Sequence, residues 1–172
     1  MKKSTAIIIL IIGILIISMC NFDEVKEAFE LNIITTTIQS KLINKDNKYI
    51  KADLKIPQLT MGNKSIENNL NKKFETDIMS FYNNSYKEAQ SFFDDFPEAE
   101  NKFIVSSDYE VKKSNDDILS ILIKYYKYSG GAHGIYEYVP YNIDLTSRNT
   151  FVLNDIFTQN SNYEQVINDE IK

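Results

Sequence analysis

Hydrophobic residues are concentrated in one unbroken run near the start of the chain, Ala6–Met19. Lys2 and Lys3 precede this run and Cys20 follows it. A basic flank followed by an apolar segment of this length is typical of an export signal or a membrane anchor. The run is close to the lower limit of about 17 residues for spanning a bilayer. We therefore expect residues 1–20 to be a signal peptide or membrane anchor, with the rest of the chain outside the cytoplasm.

The sequence leaves three fates open for this segment. In a lipoprotein, Cys20 becomes the lipidated first residue, although Met19 occupies a position that usually holds a small residue. In an ordinary signal peptide, Ser18 and Cys20 provide the small-residue spacing for cleavage before Asn21, and the protein is secreted. In the third case the segment is not cut and remains as a single N-terminal anchor.

Beyond this segment, the pattern of apolar residues changes to that of a folded domain. Residues 21–31 are a polar, acidic spacer. The segment Asn32–Asn44 is rich in Ile and Thr, and apolar residues alternate with charged ones through Ile50–Ile56. Both patterns predict β-strands, which we expect to form a hairpin. Pro57 then predicts the end of the second strand.

A helical period follows the hairpin. Asn63 and Ser65 are both suitable N-caps, and the proline in the acidic turn Asp94–Pro97 disfavours a helical conformation for the residue before it. Between them, apolar residues recur every three or four positions, which predicts a long amphipathic helix lying across a sheet. The residues of this stripe are Ile66, Leu70, Phe74, Ile78, Phe81, Tyr82 and Ala89.

A second set of strands follows the helix. Period-two spacing places Phe103, Val105, Tyr109 and Val111 on one side of a strand. Together with the hairpin and the helix, the pattern predicts an α+β fold in one domain over residues 32–172. This fold is an antiparallel sheet of about four to six strands, packed against one long amphipathic helix, with an added C-terminal helix. The further predicted elements are a central strand at Ile118–Tyr128, an alternating strand at Ile135–Leu145, a short strand at Phe151–Leu153, a helical turn at Asn154–Phe157 and a final helix capped by Ser161.

Composition argues against several classes of function. The formal net charge is -5 and Arg148 is the single arginine, whereas nucleic-acid binding needs clustered basic residues. Cys20 is the only cysteine, so the folded part has no disulfide and no cysteine metal site. His133 is the only histidine, so we also expect no metal ion and no cofactor.

His133 lies in the glycine-rich segment Ser129–Gly134. One interpretation makes it a ligand contact or a pH-sensitive group, since histidine titrates near neutral pH. The alternative, which we favour, is that Gly130 and Gly131 supply positive φ angles for a tight strand connection, while His133 caps or packs against the strands. We expect no catalytic site, because the sequence has no Gly-x-Ser-x-Gly elbow and its paired carboxylates lie in predicted turns, where such groups are usually solvated.

Tyrosines flank this segment at equal parity, which places them on one face of two adjoining strands. Such a row can stack on sugar rings or form a protein contact. The alternative is cross-strand pairing in the core beneath the long helix. If Leu119, Ile121 and Ile123 face the helix, however, the row is turned outward. The candidate ligand-binding residues are His133, Gly130, Gly131, Tyr126, Tyr128, Tyr136 and Tyr138.

A resemblance to a known module rests on five segments: Ile56–Leu59, Ile66–Asn71, Ser129–Gly134, Tyr141–Leu145 and Leu153–Phe157. They are similar to the extracytoplasmic N-terminal module of PdaC-type peptidoglycan deacetylases, which also occurs in RsiV-type lysozyme-sensing anti-sigma factors. The resemblance implies an α+β fold and an extracytoplasmic location. It does not carry over catalysis, because the sequence lacks the metal-binding deacetylase domain and the second module of those relatives.

These observations predict a non-enzymatic, membrane-tethered module on the outer face of the cell membrane. Its expected partners are the membrane, through the N-terminal segment, and either a cell-envelope component such as peptidoglycan or a protein such as lysozyme. Two alternatives remain: a peptidoglycan-processing accessory enzyme that uses His133, and a truncated relative without a function of its own.

Overall fold

The structure, a computed structural model, describes residues 36–171. The predictions for residues 1–35, including the signal or anchor, Cys20 and the spacer, lie outside the described residues. No helix within residues 36–171 is long and apolar enough to cross a membrane. In chain order, the elements are β1 (Thr37–Asp46), β2 (Ile50–Thr60), α1 (Lys64–Asp95), β3 (Phe103–Ser114), β4 (Ile118–Tyr128), β5 (Ile135–Asp144), β6 (Thr150–Phe151), a 3-10 turn (Leu153–Ile156) and α2 (Tyr163–Ile171).

The strands form one mixed sheet in the order β1-β2-β3-β4-β5-β6. The predicted α+β class is therefore confirmed, but the sheet is not wholly antiparallel. β2 and β3 run parallel, from Ile50 opposite Phe103 to Leu54 opposite Ser107. Parallel neighbours need a crossover connection, and the long helix α1 between these two strands provides it. Alternation along a single strand carries no information on the direction of its neighbour, so the sequence pattern missed this pair.

The prediction that Pro57 ends the second strand is wrong. β2 continues to Thr60, and Pro57 lies opposite Ser40 of β1. The pairing of β2 with β3 stops at Leu54, so the backbone at Pro57 has a ladder partner on one side only. Proline is tolerated at such positions because its missing N–H removes no ladder hydrogen bond.

Helix α1 begins at the predicted cap. The side chain of Asn63 accepts hydrogen bonds from the backbone N–H groups of Ser65 and Ile66, at 3.1 and 3.2 Å, so Asn63 and not Ser65 is the N-cap. The side chain of Asn71 bonds both backbone groups of Leu59, at 2.7 and 2.9 Å. These bonds attach the first turns of α1 to the end of β2.

The core lies between α1 and one face of the sheet. Phe74 and Ile78 of the predicted stripe are fully buried, whereas Phe81 is half-buried. On β2, β4 and the first half of β3, alternate residues contribute, as predicted, whereas β1 has no buried residue and Ile135 at the start of β5 is 65% exposed. Val111 is an exception: it is 43% exposed and lies at a β-bulge, where β3 leaves its regular pairing with β4. The fully buried strand residues include Ile50, Leu54, Ile56, Val105, Leu119, Ile121, Ile123 and Ile143.

The predicted helical turn is present as a 3-10 turn that already includes Leu153, so the short strand before it is Thr150–Phe151 and not Phe151–Leu153. The final helix is also present, but Ser161 is not its cap. Its hydroxyl oxygen is buried and makes no hydrogen bond with any described residue. The N–H of Val166 instead bonds the carbonyl oxygen of Asn162 at 3.2 Å, and the Asn162 side chain donates to Gln165. Asn162 therefore occupies the N-cap position, where asparagine is among the preferred residues.

Candidate functional site

The glycine-rich segment forms the turn between β4 and β5. Gly130 and Gly131 have φ angles of +99° and +97°, which other residues rarely adopt. The hydroxyl of Tyr128 donates a hydrogen bond to the carbonyl oxygen of Gly131 at 3.0 Å. These two glycines therefore have the backbone role that the turn interpretation predicted, and Tyr128 holds the turn against the end of β4.

The tyrosines around this turn lie on the face of the sheet opposite α1. Tyr126 pairs with Tyr136 across the strands, and Tyr138 pairs with Lys124. Their strand neighbour Tyr125 is buried with the core on the helix side. The alternative in which these tyrosines pair beneath the helix is therefore wrong, because side chains alternate between the two faces of a strand.

Three of these rings form a continuous tyrosine row: Tyr126, Tyr136 and Tyr138. The ring centroids of Tyr126 and Tyr136 are 4.8 Å apart, and those of Tyr136 and Tyr138 are 6.4 Å apart with nearly parallel planes. Tyr136 is 63% exposed and Tyr138 is 56% exposed. A Cβ atom at Gly134 would lie 2.3 Å from the Tyr126 ring, so the glycine at 134 leaves the space that this ring occupies.

An ion cluster borders the tyrosine row. The carboxylate of Glu110 bonds the ammonium groups of both Lys112 and Lys124. These hydrogen bonds lower the pKa of Glu110 to about 2, and the bond to Glu110 raises the pKa of Lys124. Both groups therefore stay charged at neutral pH, and they provide a polar margin beside Tyr138.

His133 is exposed to solvent. Its Nδ1 lies 3.3 Å from the carbonyl oxygen of the adjacent Gly134. The ring makes no other hydrogen bond to any residue that the structure describes, so the capping of the strands that the turn interpretation predicted is not observed. Among residues 36–171, no group of three or more His, Cys, Asp or Glu side chains is placed to hold a metal ion. The structure thus brings Tyr126, Tyr136 and Tyr138 together, with His133 in the neighbouring turn.

A cleft that the sequence analysis did not predict lies on the helix side of the same two strands. Its volume is about 570 Å³, and it lies between α1 and the helix-facing residues of β4 and β5. The Tyr141 hydroxyl donates to the Asp77 carboxylate at 2.7 Å within it. Burial, and then this hydrogen bond, raise the pKa of Tyr141; burial raises the pKa of Tyr125 to about 12. Asp77 directly precedes Ile78, which belongs to the buried stripe of α1. This neighbourhood is the only feature of the local sequence that could have indicated the cleft.

Residues 43–136 match the sequence profile of the family described as deacetylase PdaC. The match covers more than half of the chain. The chain belongs to the deacetylase PdaC family. The matched residues run from the middle of β1 to Tyr136 and thus include α1, the glycine turn and Tyr126.

Two solved structures have a similar fold. One is a member of the DUF3298 family from Bacteroides fragilis NCTC 9343, with a TM-score of 0.60 and 17% identity over 78% of this chain and 65% of that one. The other is a DUF3298 family protein from Pseudomonas aeruginosa PAO1, with a TM-score of 0.52 and 17% identity over 82% of this chain and 66% of that one. The match thus spans less than two thirds of either protein's length, and at this identity it establishes the fold alone. A search of the curated proteins found no match.

Proposed function

We propose that this protein is a membrane-tethered, extracytoplasmic binding module that attaches to a glycan of the cell envelope through the tyrosine row. The observation that carries the proposal is the exposure of Tyr136 and Tyr138 beside Tyr126 on the sheet face that α1 leaves uncovered. Exposing large aromatic rings to water is unfavourable and adds nothing to the core. A row of such rings on the surface is therefore typical of a contact surface.

The chemistry of the row supports a sugar ligand. A tyrosine ring offers an apolar face for stacking and a hydroxyl for hydrogen bonding. The ion cluster of Glu110, Lys112 and Lys124 adds fixed polar groups at the margin of the row. The resemblance to a module of peptidoglycan deacetylases supports peptidoglycan as the envelope component. A protein such as lysozyme is the competing ligand.

The proposed location rests on residues 1–20. Lys2, Lys3 and the run Ala6–Met19 have the character of an export signal or anchor. Metabolic labelling with palmitate tests the lipoprotein form: label should enter the wild-type chain and be lost in Cys20→Ala. Label in neither chain, with the protein still in the membrane fraction, would instead favour the uncut anchor.

We further propose that the module has no catalytic activity of its own. His133 contacts the adjacent Gly134 carbonyl and makes no hydrogen bond to a serine or carboxylate among the described residues. The accessory-enzyme alternative assigns His133 a catalytic role. It predicts that His133→Ala abolishes a peptidoglycan-modifying activity while thermal stability is unchanged, whereas the binding-module proposal predicts no such activity in either chain.

Retention of the full-length chain on insoluble peptidoglycan, in non-ionic detergent, tests the binding proposal. We expect the double variant Tyr136→Ala/Tyr138→Ala to bind about 10-fold more weakly, because each aromatic contact contributes roughly 0.5–1.5 kcal/mol beyond its buried area. The matched control, Tyr136→Phe/Tyr138→Phe, keeps the rings and should retain most of the binding. Equal retention of the alanine variant, or retention on immobilised lysozyme but not on peptidoglycan, would contradict a glycan ligand at this row.

A further inference from the structure

The outer edge of β5 is mostly uncovered. β5 pairs with β4 along its full length, from Ile135 opposite Lys127 to Asp144 opposite Ile118. On its other side, β6 covers only Asn142 and Ile143. Within the described part of the chain, residues 135–141 therefore form a sheet edge with no neighbouring strand. Such an edge is a template for pairing with another chain.

The hydrogen bonds at the end of β5 show which backbone groups point outward. The N–H of Asp144 donates to the carbonyl oxygen of Asn149 on the β6 side, at 2.9 Å. Backbone direction alternates along a strand, so the even-numbered residues Tyr136, Tyr138 and Pro140 face the same way. Pro140 has no N–H to offer there, which is where a strand proline is tolerated. Tyr136 and Tyr138 therefore present their N–H and C=O groups at the open edge.

The cleft between α1 and the sheet lies directly beside this edge. Its volume is about 570 Å³, and the odd-numbered residues Ile135, Glu137 and Val139 of β5 line it. In a strand added to β5, every second side chain would lie on the helix side, over the cleft. The backbone edge and the side-chain cleft thus together form the two parts of a peptide site, in which backbone bonds give affinity and the cleft selects the side chain.

The charges in the cleft favour a basic side chain. Three carboxylates line it, from Asp77, Glu88 and Glu137, together with one ammonium group, from Lys127. Lys127 pairs with Glu88 at 2.7 Å, and Lys73 pairs with Asp77 at 3.0 Å. The side chain of Glu137 makes no hydrogen bond or ion pair with another residue among residues 36–171, although its backbone pairs with Tyr125 of β4. Its carboxylate is therefore available to an incoming cation.

The floor of the cleft suits the stem of a long basic residue. The rings of Phe81 and Tyr125 lie there in contact, with centroids 4.6 Å apart. Lysine and arginine bury their methylene stems against apolar surfaces, and their charged heads are attracted to aromatic faces.

We propose that the β5 edge binds an extended peptide of a partner protein by strand addition, with a Lys or Arg side chain of that peptide in the cleft beside Glu137. The site uses the backbone of Tyr136 and Tyr138 and the helix side of the sheet. It is therefore separate from the ring surface of the tyrosine row, and it does not rest on the proposed glycan ligand.

A blocked, fluorescently labelled peptide of alternating Thr and Lys residues is the probe, titrated into the full-length chain in non-ionic detergent. The alternation places every lysine on one side of an added strand, whatever its register. We expect binding that is at least about 10-fold weaker for the same peptide with Glu in place of Lys, because the cleft is acidic. We expect no binding of the Thr-Lys peptide when its backbone is N-methylated at every residue, because no N–H is then left to form the ladder hydrogen bonds.

Two variants locate the site. Glu137→Gln should weaken binding of the Thr-Lys peptide several-fold. Tyr138→Pro should abolish it by removing an outward N–H, whereas the matched control Tyr138→Phe should bind as the wild type does. Equal binding of the N-methylated peptide, or unchanged binding by Glu137→Gln, overturns the proposal, and the N-methylated peptide decides even if Tyr138→Pro does not fold. The proposal is also overturned if the wild type binds no peptide but forms a dimer, and Tyr138→Pro dissociates that dimer. The edge would then pair with a second copy of the chain.

Discussion

The sheet of this protein has two faces with opposite surroundings, although the same strands build both. On the helix side, Leu119, Ile121 and Ile123 of β4 are fully buried beneath α1. On the other side, Tyr136 and Tyr138 of the neighbouring strand are more than half exposed. Successive residues along a strand therefore have different roles. Those on one face stabilise the fold, and those on the other face are free to contact a ligand.

Different local features organise the two faces. The helix side depends on contacts between distant segments, such as the side chain of Asn71 with the backbone of Leu59 and the ring of Phe74 with that of Tyr141. The open side depends on one short turn, in which Gly134 leaves space for the Tyr126 ring. A change on the helix side should therefore affect the whole domain, whereas a change on the open side should remain local.

Truncating one ring on each face should give the largest contrast. Phe74 is fully buried, so Phe74→Ala should lower the free energy of unfolding by about 3–5 kcal/mol through lost burial and the cavity left behind. Tyr136→Ala on the open face should lower it by less than about 1 kcal/mol. Urea unfolding of both variants measures the difference. Similar losses for the two variants would show that the open face is part of the core.

A methyl group at position 134 should disturb the open face alone. The added Cβ of Gly134→Ala would overlap the Tyr126 ring, and overpacking of this kind costs about 1–3 kcal/mol. The effect here should be near the lower end, since the overlapping atoms are at the far end of a side chain that can turn away.

A double-mutant cycle checks this cause. In a Tyr126→Ala background the ring is missing, so Gly134→Ala should cost almost nothing. The same cost in both backgrounds would locate the strain in the backbone of the turn and not in the ring contact.

Alkaline pH should weaken the helix side of the sheet. Burial raises the pKa of Tyr125 from 10.0 to about 12, so the folded state favours the protonated phenol. A group with a raised pKa contributes its full stabilisation below the unfolded pKa, and this contribution is lost as the pH rises from about 10 to about 12. Thermal unfolding of the wild type and Tyr125→Phe between pH 9 and 12 should show a shallower decline for the variant. Parallel declines would show that Tyr125 does not link folding to pH.

Local pattern predicted the elements of this fold well and their mutual arrangement less well. The stripe from Ile66 to Ala89, the cap at Asn63 and the central strand at Ile118–Tyr128 all agree with the structure. The parallel pairing of β2 with β3 and the continuation of β2 through Pro57 do not follow from any local period. Both depend on which segment lies beside β2, and such neighbours are distant in sequence.

The candidate site was likewise only partly predictable from the sequence. Equal parity placed the tyrosines on one face, and the burial of Leu119, Ile121 and Ile123 turned that face outward. The contact of Tyr136 with both Tyr126 and Tyr138 required the actual register of β4 and β5. The cleft beside Glu137 was not predictable, because α1, β4 and β5 contribute its residues from segments that are separated in the sequence.

Backbone geometry fixes how side chains alternate along a strand or recur along a helix. The sequence alone therefore indicated most of the buried residues, the approximate start of α1 and the positions of the turns. The direction of β3 beside β2, the short cover of β6 over β5 and the cleft under that edge were decided only by tertiary structure. They arise from contacts such as that of Asp77 with Tyr141, and no periodicity within one element encodes a contact between residues so far apart in the chain.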